Sequence, residues 1–172
     1  GYDMYCRLLE EEIQSIKGEP VEESFETTID VNVNAYIPDF YIKSQQQRME
    51  LYKKIAAVSD EQSYYNIQEE LEDRYGDLPK SVQTLLEIVL LKAQAHSMGV
   101  LSVTQKSQSV ILQFKENAKI QPERLTELIA KGKGKYLFTA GALPYITMKI
   151  KKEEKPSMIL DNIKILLQSL KS

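Results

Sequence analysis

Three acidic residues at helical spacing are the side chains of this sequence whose arrangement could do chemistry. Glu69, Glu70 and Asp73 lie in one polar stretch, which Arg74 follows directly. Carboxylates placed in this way could act as general acid and base, or could attract basic side chains of another protein. The first use requires a cleft in which burial or a neighbouring charge shifts the carboxyl pKa.

The helical pattern around these carboxylates helps to distinguish the two uses. Four residues recur at the spacing of one helix face and define an inward stripe: Tyr64, Ile67, Leu71 and Tyr75. At about 100° per residue, Glu69 and Asp73 point almost opposite that stripe, and Glu70 lies beside Asp73. An exposed helix face provides no cleft, so the pattern disfavours catalysis. It leaves two interpretations, a solvated surface and a docking face for a basic partner.

Two further motifs look like ion sites but lack residues that such sites need. The stretch DVNVN at residues 30–34 begins like a calcium-binding loop, yet Ala35 and Tyr41 stand where that loop needs a glycine and a bidentate carboxylate. Its alternating valines are typical of a strand. The stretch KGKGK at residues 131–135 lacks the order and the Ser or Thr of a phosphate-binding loop, and we interpret it as the turn that ends a helix.

The single histidine and the single cysteine have no companions in the sequence that would make them catalytic. His96 lies near the end of an apolar helix, where packing or interaction with the helix dipole is the expected role. Cys6 has no His or Asn nearby and cannot form an intramolecular disulfide. No apolar run approaches the roughly 18 residues that a membrane helix needs. We therefore expect no catalytic residue, no metal site and a cytoplasmic location.

The elements that must position the acidic stretch are two consecutive helices separated by a turn. Ser59 followed by Gln62 fits a capping box at the start of the acidic helix. Gly76 is expected to end that helix, and Pro79 to begin an apolar helix that Gly99 ends. Gly76 and Pro79 are therefore the expected structural turn.

The rest of the sequence predicts further helices and a small sheet. Hydrophobic periodicity predicts helices at 2–17, from Ser44 onward, at 122–130 and from Pro156 onward. It predicts strands at 27–37, 101–105, 109–114, 136–139 and 145–150. Because helices and strands do not alternate regularly, the expected fold class is α+β rather than a doubly wound sheet. We expect a helical N-terminal half packed with a small, mostly antiparallel sheet and a C-terminal helix.

Charge is distributed unevenly along the sequence. Residues 1–98 carry 19 acidic and 9 basic side chains, whereas residues 99–172 carry 6 acidic and 13 basic ones. The two regions could pack together and partly neutralise each other, or the acidic region could offer a docking surface to a basic partner. The overall charge of −3 is not that of a strongly basic nucleic-acid binder.

Residues 73–79 carry a resemblance to a known family. Their sequence DRYGDLP, followed by an apolar helix, resembles the C-terminal (TRCF) domain of the bacterial transcription-repair coupling factor. The opening GYDMYCRLLEEEI resembles the segment that follows the helicase core in that family. The resemblance implies that residues 1–18 form a leading helix after the absent helicase core, and that residues 19–172 form a C-terminal regulatory and interaction domain.

The resemblance also implies a role without catalysis in this chain. The family is a multidomain ATP-dependent DNA translocase that removes stalled RNA polymerase and recruits excision-repair proteins through a UvrB-like domain that binds UvrA. ATP and Mg²⁺ belong to its helicase core, and this chain contains neither GxxxxGK[ST] nor a D-E-x-H box. The implied chain is a monomer without enzyme activity, cofactor or membrane contact, which reaches UvrA, RNA polymerase and DNA through its parent protein.

The family's C-terminal domain covers the UvrA-binding surface of the UvrB-like domain and keeps the motor repressed. Its acidic helix, ending in Asp-Arg-aromatic-Gly, matches residues 70–76 of this sequence. The resemblance therefore implies that Glu70 and Asp73, with Glu69 and Arg74 beside them, contact arginines of the UvrB-like domain.

An alternative function uses the basic second half. An accessory nucleic-acid-binding domain would employ the lysines at residues 131–135 and 149–152. Tyr136 and Tyr145 are the aromatic residues near them that could stack on bases.

Overall fold

The computed structural model describes residues 25–171, which form five helices and five strands. The helices are α1 (Gln45–Ala56), α2 (Glu61–Tyr75), α3 (Lys80–Ser97), α4 (Pro122–Gly132) and α5 (Pro156–Leu170). The strands are β1 (Thr28–Asp30), β2 (Val100–Lys106), β3 (Ser109–Phe114), β4 (Tyr136–Thr139) and β5 (Tyr145–Lys149). The predicted α+β class is confirmed. Cys6, the helix predicted at 2–17 and the boundary expected after residue 18 lie outside the described residues.

The described chain divides into two compact units. The helical unit comprises Val33–Ala93, and the sheet unit comprises Thr27–Asn32 together with residues 94–171. The division falls within α3, after Ala93.

Side-chain caps fix the first two helices of the helical unit. Ser44 is the N-cap of α1, as predicted, and its hydroxyl accepts a hydrogen bond from the backbone N–H of Gln47 at 3.3 Å. The cap of α2 lies one residue later than predicted. Asp60, not Ser59, is the N-cap, and it forms a reciprocal capping box with Ser63. The Asp60 carboxylate accepts from the Ser63 N–H at 2.8 Å, and these bonds hold the pKa of Asp60 below its ordinary value.

The core of the helical unit is built from the inward faces of α1, α2 and α3 and from the segment that precedes α1. Its buried residues are Ile37, Ile42, Leu51, Ile55, Val58, Ile67, Leu71, Leu78, Val82, Leu85, Leu86, Val89 and Leu90. Tyr64 and Tyr75 pack against this cluster, so the inward stripe predicted for the acidic helix is confirmed. Helix α3 is buried on all sides over residues 88–91, as its broad apolar surface predicts.

A sharp turn links α2 to α3. The N–H of Gly76 donates to the carbonyl of Glu72 at 2.9 Å and closes the last turn of α2. Gly76 has φ +87° and ψ −165°, a backbone region that is essentially restricted to glycine. This conformation is not the left-handed helical one usual at helix ends, but it demands glycine even more strictly. The carbonyl of Pro79 accepts from the N–H groups of Val82 and Gln83, both at 3.0 Å, and so begins α3.

The sheet unit contains one five-stranded sheet in the order β1-β2-β3-β5-β4. Strand β1 pairs with β2 in parallel, and every other neighbouring pair is antiparallel. The strands predicted at 101–105 and 109–114 are confirmed, and β2 and β3 form a hairpin with Ser107 at φ 53° in its two-residue turn. The long strand predicted at 27–37 is wrong in its extent, because β1 covers only Thr28–Asp30. The ladder ends there, and Asn32 donates its N–H to the side chain of Gln105 at 2.9 Å instead.

One face of the sheet belongs to the core, together with α4 and α5. Val110, Leu112 and Phe114 are buried, whereas the residues between them along β3 are half-exposed. Helix α4 lies against both β4 and α5. Helix α5 contributes an inward stripe of Ile159, Leu160, Ile163, Leu166, Leu167 and Leu170. The predicted C-terminal helix is thus confirmed.

Replacing Gly76 tests the turn. We expect Gly76→Ala and Gly76→Val each to lower the free energy of unfolding by about 1–3 kcal/mol, because both must adopt a glycine-only backbone conformation. A Cβ atom at Gly76 would meet no atom within 4 Å, so the loss should be nearly the same for both substitutions. Urea denaturation measures it, with Asp77→Ala as the exposed control. An unchanged midpoint in both Gly76 variants would contradict the assignment of the turn.

Candidate docking face

The outward side of α2 carries carboxylates that the rest of the described chain leaves largely unpaired. We define the acidic face as Glu69, Glu72 and Asp73, all of which are exposed. Glu72 accepts a long hydrogen bond from Gln68 at 3.4 Å, and no hydrogen bond or ion pair engages Glu69 or Asp73 within residues 25–171. The predicted outward orientation of Glu69 and Asp73 is what the structure shows. These two carboxylates are available to basic groups of another molecule.

Glu70 lies at the flank of the acidic face and already has a partner. Its carboxylate contacts the ammonium of Lys54, on α1, at 2.7 Å, and the two side chains are 34% and 51% exposed. An exposed pair of this kind contributes about 0–1 kcal/mol to stability. An arginine from a partner could therefore displace Lys54 at little cost. The sequence pattern did not show this pairing, because Lys54 lies on a different helix.

Arg74 lies beside the acidic face and packs against the ring of Tyr75. Its guanidinium lies over the ring of Tyr75, with the central carbon 5.0 Å from the ring centroid. The cation is thus held by an aromatic face next to the turn. Glu69, Glu70, Asp73 and Arg74, the four predicted contact residues, all lie on the outward and flanking surfaces of α2.

A tyrosine clamps the end of the acidic helix. The hydroxyl of Tyr41 donates to the carbonyl of Gly76 at 2.8 Å and lies 3.2 Å from the carbonyl of Leu71. Burial, and after it the negative charges of Glu72 and Asp77, together raise the pKa of Tyr41 to about 12. The clamp therefore fixes the turn that ends α2. No local sequence pattern indicates this contact, because Tyr41 lies 35 residues before Gly76.

Tyr75 packs against the clamp without sharing its hydrogen bonds. The rings of Tyr41 and Tyr75 lie 5.8 Å apart between centroids and are tilted by 55°. The hydroxyl of Tyr75 is buried and has no hydrogen-bond partner in the described part of the chain. Tyr75 contributes its ring to this contact, and Tyr41 contributes both its ring and its hydroxyl.

An exposed phenylalanine adjoins the clamp. Phe40 is 71% exposed, although it sits in an ordered turn in which the N–H groups of Tyr41 and Ile42 both donate to the carbonyl of Pro38. An aromatic side chain exposed on an ordered turn is of the kind that is enriched in protein–protein contacts. The Pro-Asp pair that precedes Phe40 is a turn signal, and it could have marked this residue in the sequence.

The metal-ligating side chains among the described residues do not gather into a metal site. No group of three or more His, Cys, Asp or Glu side chains in the described ranges could hold a metal ion. His96 lies in the last turn of α3, with its Nδ1 atom 3.3 Å from the Thr27 hydroxyl. That hydroxyl donates to the carbonyl of Val100 at 2.7 Å, so Nδ1 must be the donor to Thr27. None of the helices among the described residues is long and apolar enough to span a membrane.

The two predicted lysine segments meet at one end of the sheet. Residues 131–135 precede β4 and residues 149–152 end β5, and the N–H of Lys149 donates to the carbonyl of Lys135 at 2.9 Å. The predicted role of residues 131–135 as a helix-ending turn is confirmed, with Lys133 in the left-handed conformation as the C-cap of α4. The two tyrosines proposed for stacking do not lie together. Tyr136 is buried, and Tyr145 lies at the opposite end of β5.

Comparisons with known proteins show what this chain resembles. The TRCF domain family model matches residues 31–125. The transcription-repair-coupling factor of Bacillus subtilis (strain 168) is 35% identical over 131 residues, covering 74% of this chain and 11% of that protein. The factor of Staphylococcus haemolyticus (strain JCSC1435) is 30% identical over 175 aligned residues, covering 99% and 14%. The chain thus spans only a small part of these relatives.

A solved structure supports the same likeness. The crystal structure of the C-terminal domain of a transcription-repair coupling factor matches with a TM-score of 0.77 and 27% sequence identity. The match covers 87% of this chain and 94% of that one.

The tyrosine clamp predicts a pH-dependent loss of stability. A phenol whose pKa is raised by folding favours the folded state below its unfolded pKa, near 10, and that contribution is lost as pH rises towards 12. Burial also raises the pKa values of Tyr64 and Tyr136. We therefore expect Tyr41→Phe to reduce, but not abolish, the fall in the urea midpoint between pH 8 and the alkaline range.

Tyr75→Phe is the matched control for this measurement. At neutral pH, Tyr41→Phe should lower the free energy of unfolding by about 0.5–1.5 kcal/mol through its lost hydrogen bonds, whereas Tyr75→Phe should not. Equal effects of the two substitutions would mean that the Tyr41 hydroxyl does not hold the turn.

Proposed function

The chain belongs to the TRCF domain family, and we propose that it acts as a non-catalytic regulatory domain of a transcription-repair coupling factor. The domain docks on the UvrB-like domain of the same protein and masks the surface that UvrA would bind. The parent motor is thereby held in a repressed state. ATP, Mg²⁺ and RNA polymerase are contacted by other parts of the parent, which acts in the cytoplasm, and the domain acts as a single copy.

The acidic face of α2 is the observation that carries this proposal. It presents two exposed carboxylates, Glu69 and Asp73, that have no partner within residues 25–171. The helix beneath them is held by the capping box at one end and by the tyrosine clamp at the other. Because its backbone is fixed before docking, the face loses little conformational freedom on binding.

The chemistry of the face selects a basic partner. Arginine is suited to carboxylates because its planar guanidinium can donate two parallel hydrogen bonds. Glu70 and Asp73 are spaced so that arginines of the UvrB-like domain could engage both. Engagement of Glu70 requires its contact with Lys54 to open or to be shared, which weakens this part of the interface. Phe40 adds an apolar anchor near the C-terminal end of the same helix.

Removing the two carboxylates tests docking apart from folding. We expect Glu70→Ala with Asp73→Ala to change the free energy of unfolding only slightly, because Asp73 is exposed and the partly exposed pair between Lys54 and Glu70 contributes about 1 kcal/mol at most. Binding to the separately expressed UvrB-like domain should weaken, by about 2–5 kcal/mol for each pair that is desolvated and far less at a wet rim. Isothermal titration calorimetry measures the affinity. Glu50→Ala with Glu116→Ala, both exposed, is the control with the same charge change.

The full-length parent protein provides the second readout. The Glu70 and Asp73 variant should bind UvrA more readily than the wild type in the absence of an engaged polymerase. If a folded variant bound both the UvrB-like domain and UvrA as tightly as the wild type does, α2 would not be the docking surface that represses the motor. If the control variant weakened binding to the UvrB-like domain equally, net charge rather than the position of these carboxylates would determine the affinity.

Phe40 allows an independent test of the same surface. Phe40→Ala should reduce affinity for the UvrB-like domain by about 2 kcal/mol or more if the ring fills a pocket, as anchor residues do. Leu137→Ala is the control, because Leu137 is 61% exposed and lies in the sheet unit. Unchanged affinity in the Phe40 variant would confine docking to the charged residues.

A further inference from the structure

A second charged surface lies at one end of the sheet and has the opposite sign. Seven lysines belong to the strand ends, to the loops and to the last turn of α4 that meet there, and we name this surface the lysine end: Lys106, Lys131, Lys133, Lys135, Lys149, Lys151 and Lys152. All are exposed except Lys135, which is half-buried with its ammonium 5.7 Å from the centroid of the Tyr136 ring. The sequence showed two of these segments but not their meeting with Lys106.

The register of the strands brings the lysines together. Ser109 lies between Lys106 on β2 and Lys149 on β5, and it pairs with both. The N–H of Ile150 donates to the carbonyl of Gln108 at 2.9 Å, which holds the segment after β5 against the hairpin turn. With strands about 4.8 Å apart, the ends of β2, β3, β5 and β4 span about 14 Å. Counted along the duplex axis, that span corresponds to about four nucleotides of one strand, at about 3.4 Å each.

Few acidic side chains offset this charge. Glu127 contacts Lys131 at 2.7 Å. Glu154 is occupied locally, since it accepts hydrogen bonds from the N–H of Lys151 at 3.2 Å and from Asn162 at 2.7 Å. Glu153 is the third acidic residue of these segments. Asp30 is a fourth, because β1 pairs it with Thr104, two residues before Lys106. Four carboxylates against seven ammonium groups leave the lysine end positive.

The chemistry of the surface favours a phosphate backbone over unstacked bases. A single-stranded nucleic acid needs aromatic platforms beside its basic groove. Tyr136 is only 8% exposed, and Tyr145 lies four residues from Lys149, about 13 Å along the strand. Lysines on exposed loops instead suit phosphates approached as point charges. We propose that the lysine end binds the phosphate backbone of double-stranded DNA without reading its sequence.

This proposal does not depend on docking to the UvrB-like domain. The lysine end belongs to the sheet unit, and the acidic face belongs to the helical unit. Substitutions at one surface can therefore be tested with the other left intact.

The salt dependence of DNA binding tests the proposal on the whole chain. Fluorescence anisotropy with a short labelled duplex should give a Kd of about 10⁻⁴–10⁻⁶ M at physiological salt. The variant Lys106→Gln, Lys149→Gln, Lys151→Gln should lose affinity and show a log–log salt slope shallower by up to about 2.7, at about 0.9 for each phosphate contact. The control Lys119→Gln, Lys164→Gln, Lys171→Gln removes the same charge at exposed positions elsewhere in the unit and should keep the wild-type slope.

Three outcomes would overturn the proposal. Equal slope changes in the two variants would mean that net charge, not the lysine end, governs binding. Tighter binding of a single-stranded oligonucleotide than of the duplex would indicate base stacking instead. Poly-glutamate can be compared with unlabelled duplex as a competitor at the same concentration of charge. If poly-glutamate displaced the labelled duplex equally well, the surface would be one that binds acidic polypeptides. Circular dichroism checks that both variants are folded.

Discussion

The turn at Gly76 is the constraint on which the helical unit depends. The backbone of Gly76 has a conformation that residues with a side chain rarely adopt. Its N–H closes the last turn of α2, and its carbonyl accepts a hydrogen bond from the hydroxyl of Tyr41. Because α2 must stop here for the buried α3 to begin, both the length of the acidic helix and the direction of its outward face follow from this turn. A longer or frayed α2 would rotate or disorder Asp73, which lies only three residues before Gly76.

Much of this arrangement could be predicted from local sequence patterns, and the misses share one physical cause. The helix faces, the two strands of the hairpin and the turn from Gly76 to Pro79 depend on residues close in sequence, and these predictions were confirmed. The short extent of β1 depends on its pairing with β2, about 70 residues away, and no local pattern records where such a ladder ends. The cap of α2 moved from Ser59 to Asp60 because both residues are good caps, and hydrogen bonding to Ser63 favours the second.

For the candidate docking face, too, local sequence spacing predicted the positions of side chains but not their contacts with other elements. Helical periodicity correctly placed Glu69 and Asp73 on the outward side of α2, because burial of Ile67 and Leu71 fixes the rotation of the helix. The contact between Glu70 and Lys54, the hydroxyl of Tyr41 and the meeting of Lys106 with Lys149 all join different elements. These contacts decide which charges remain available to a partner. A sequence can therefore predict a charged face more readily than it can predict the free charges on it.

The weak, exposed ion pair between Lys54 and Glu70 suits a docking contact that must form and break reversibly. A deeply buried ion pair would leave a desolvated charge behind on release, whereas the exposed contact between Lys54 and Glu70 offers the carboxylate an alternative partner in the undocked state. In the proposed docking, release of a partner arginine would let Glu70 pair again with Lys54, so the Glu70 carboxylate would not be left without a partner. The difference in free energy between docked and released states can thus be only a few kcal/mol, a range that a competing partner can overcome by binding one state preferentially. Such a clamp could open without any change in the core that holds α2.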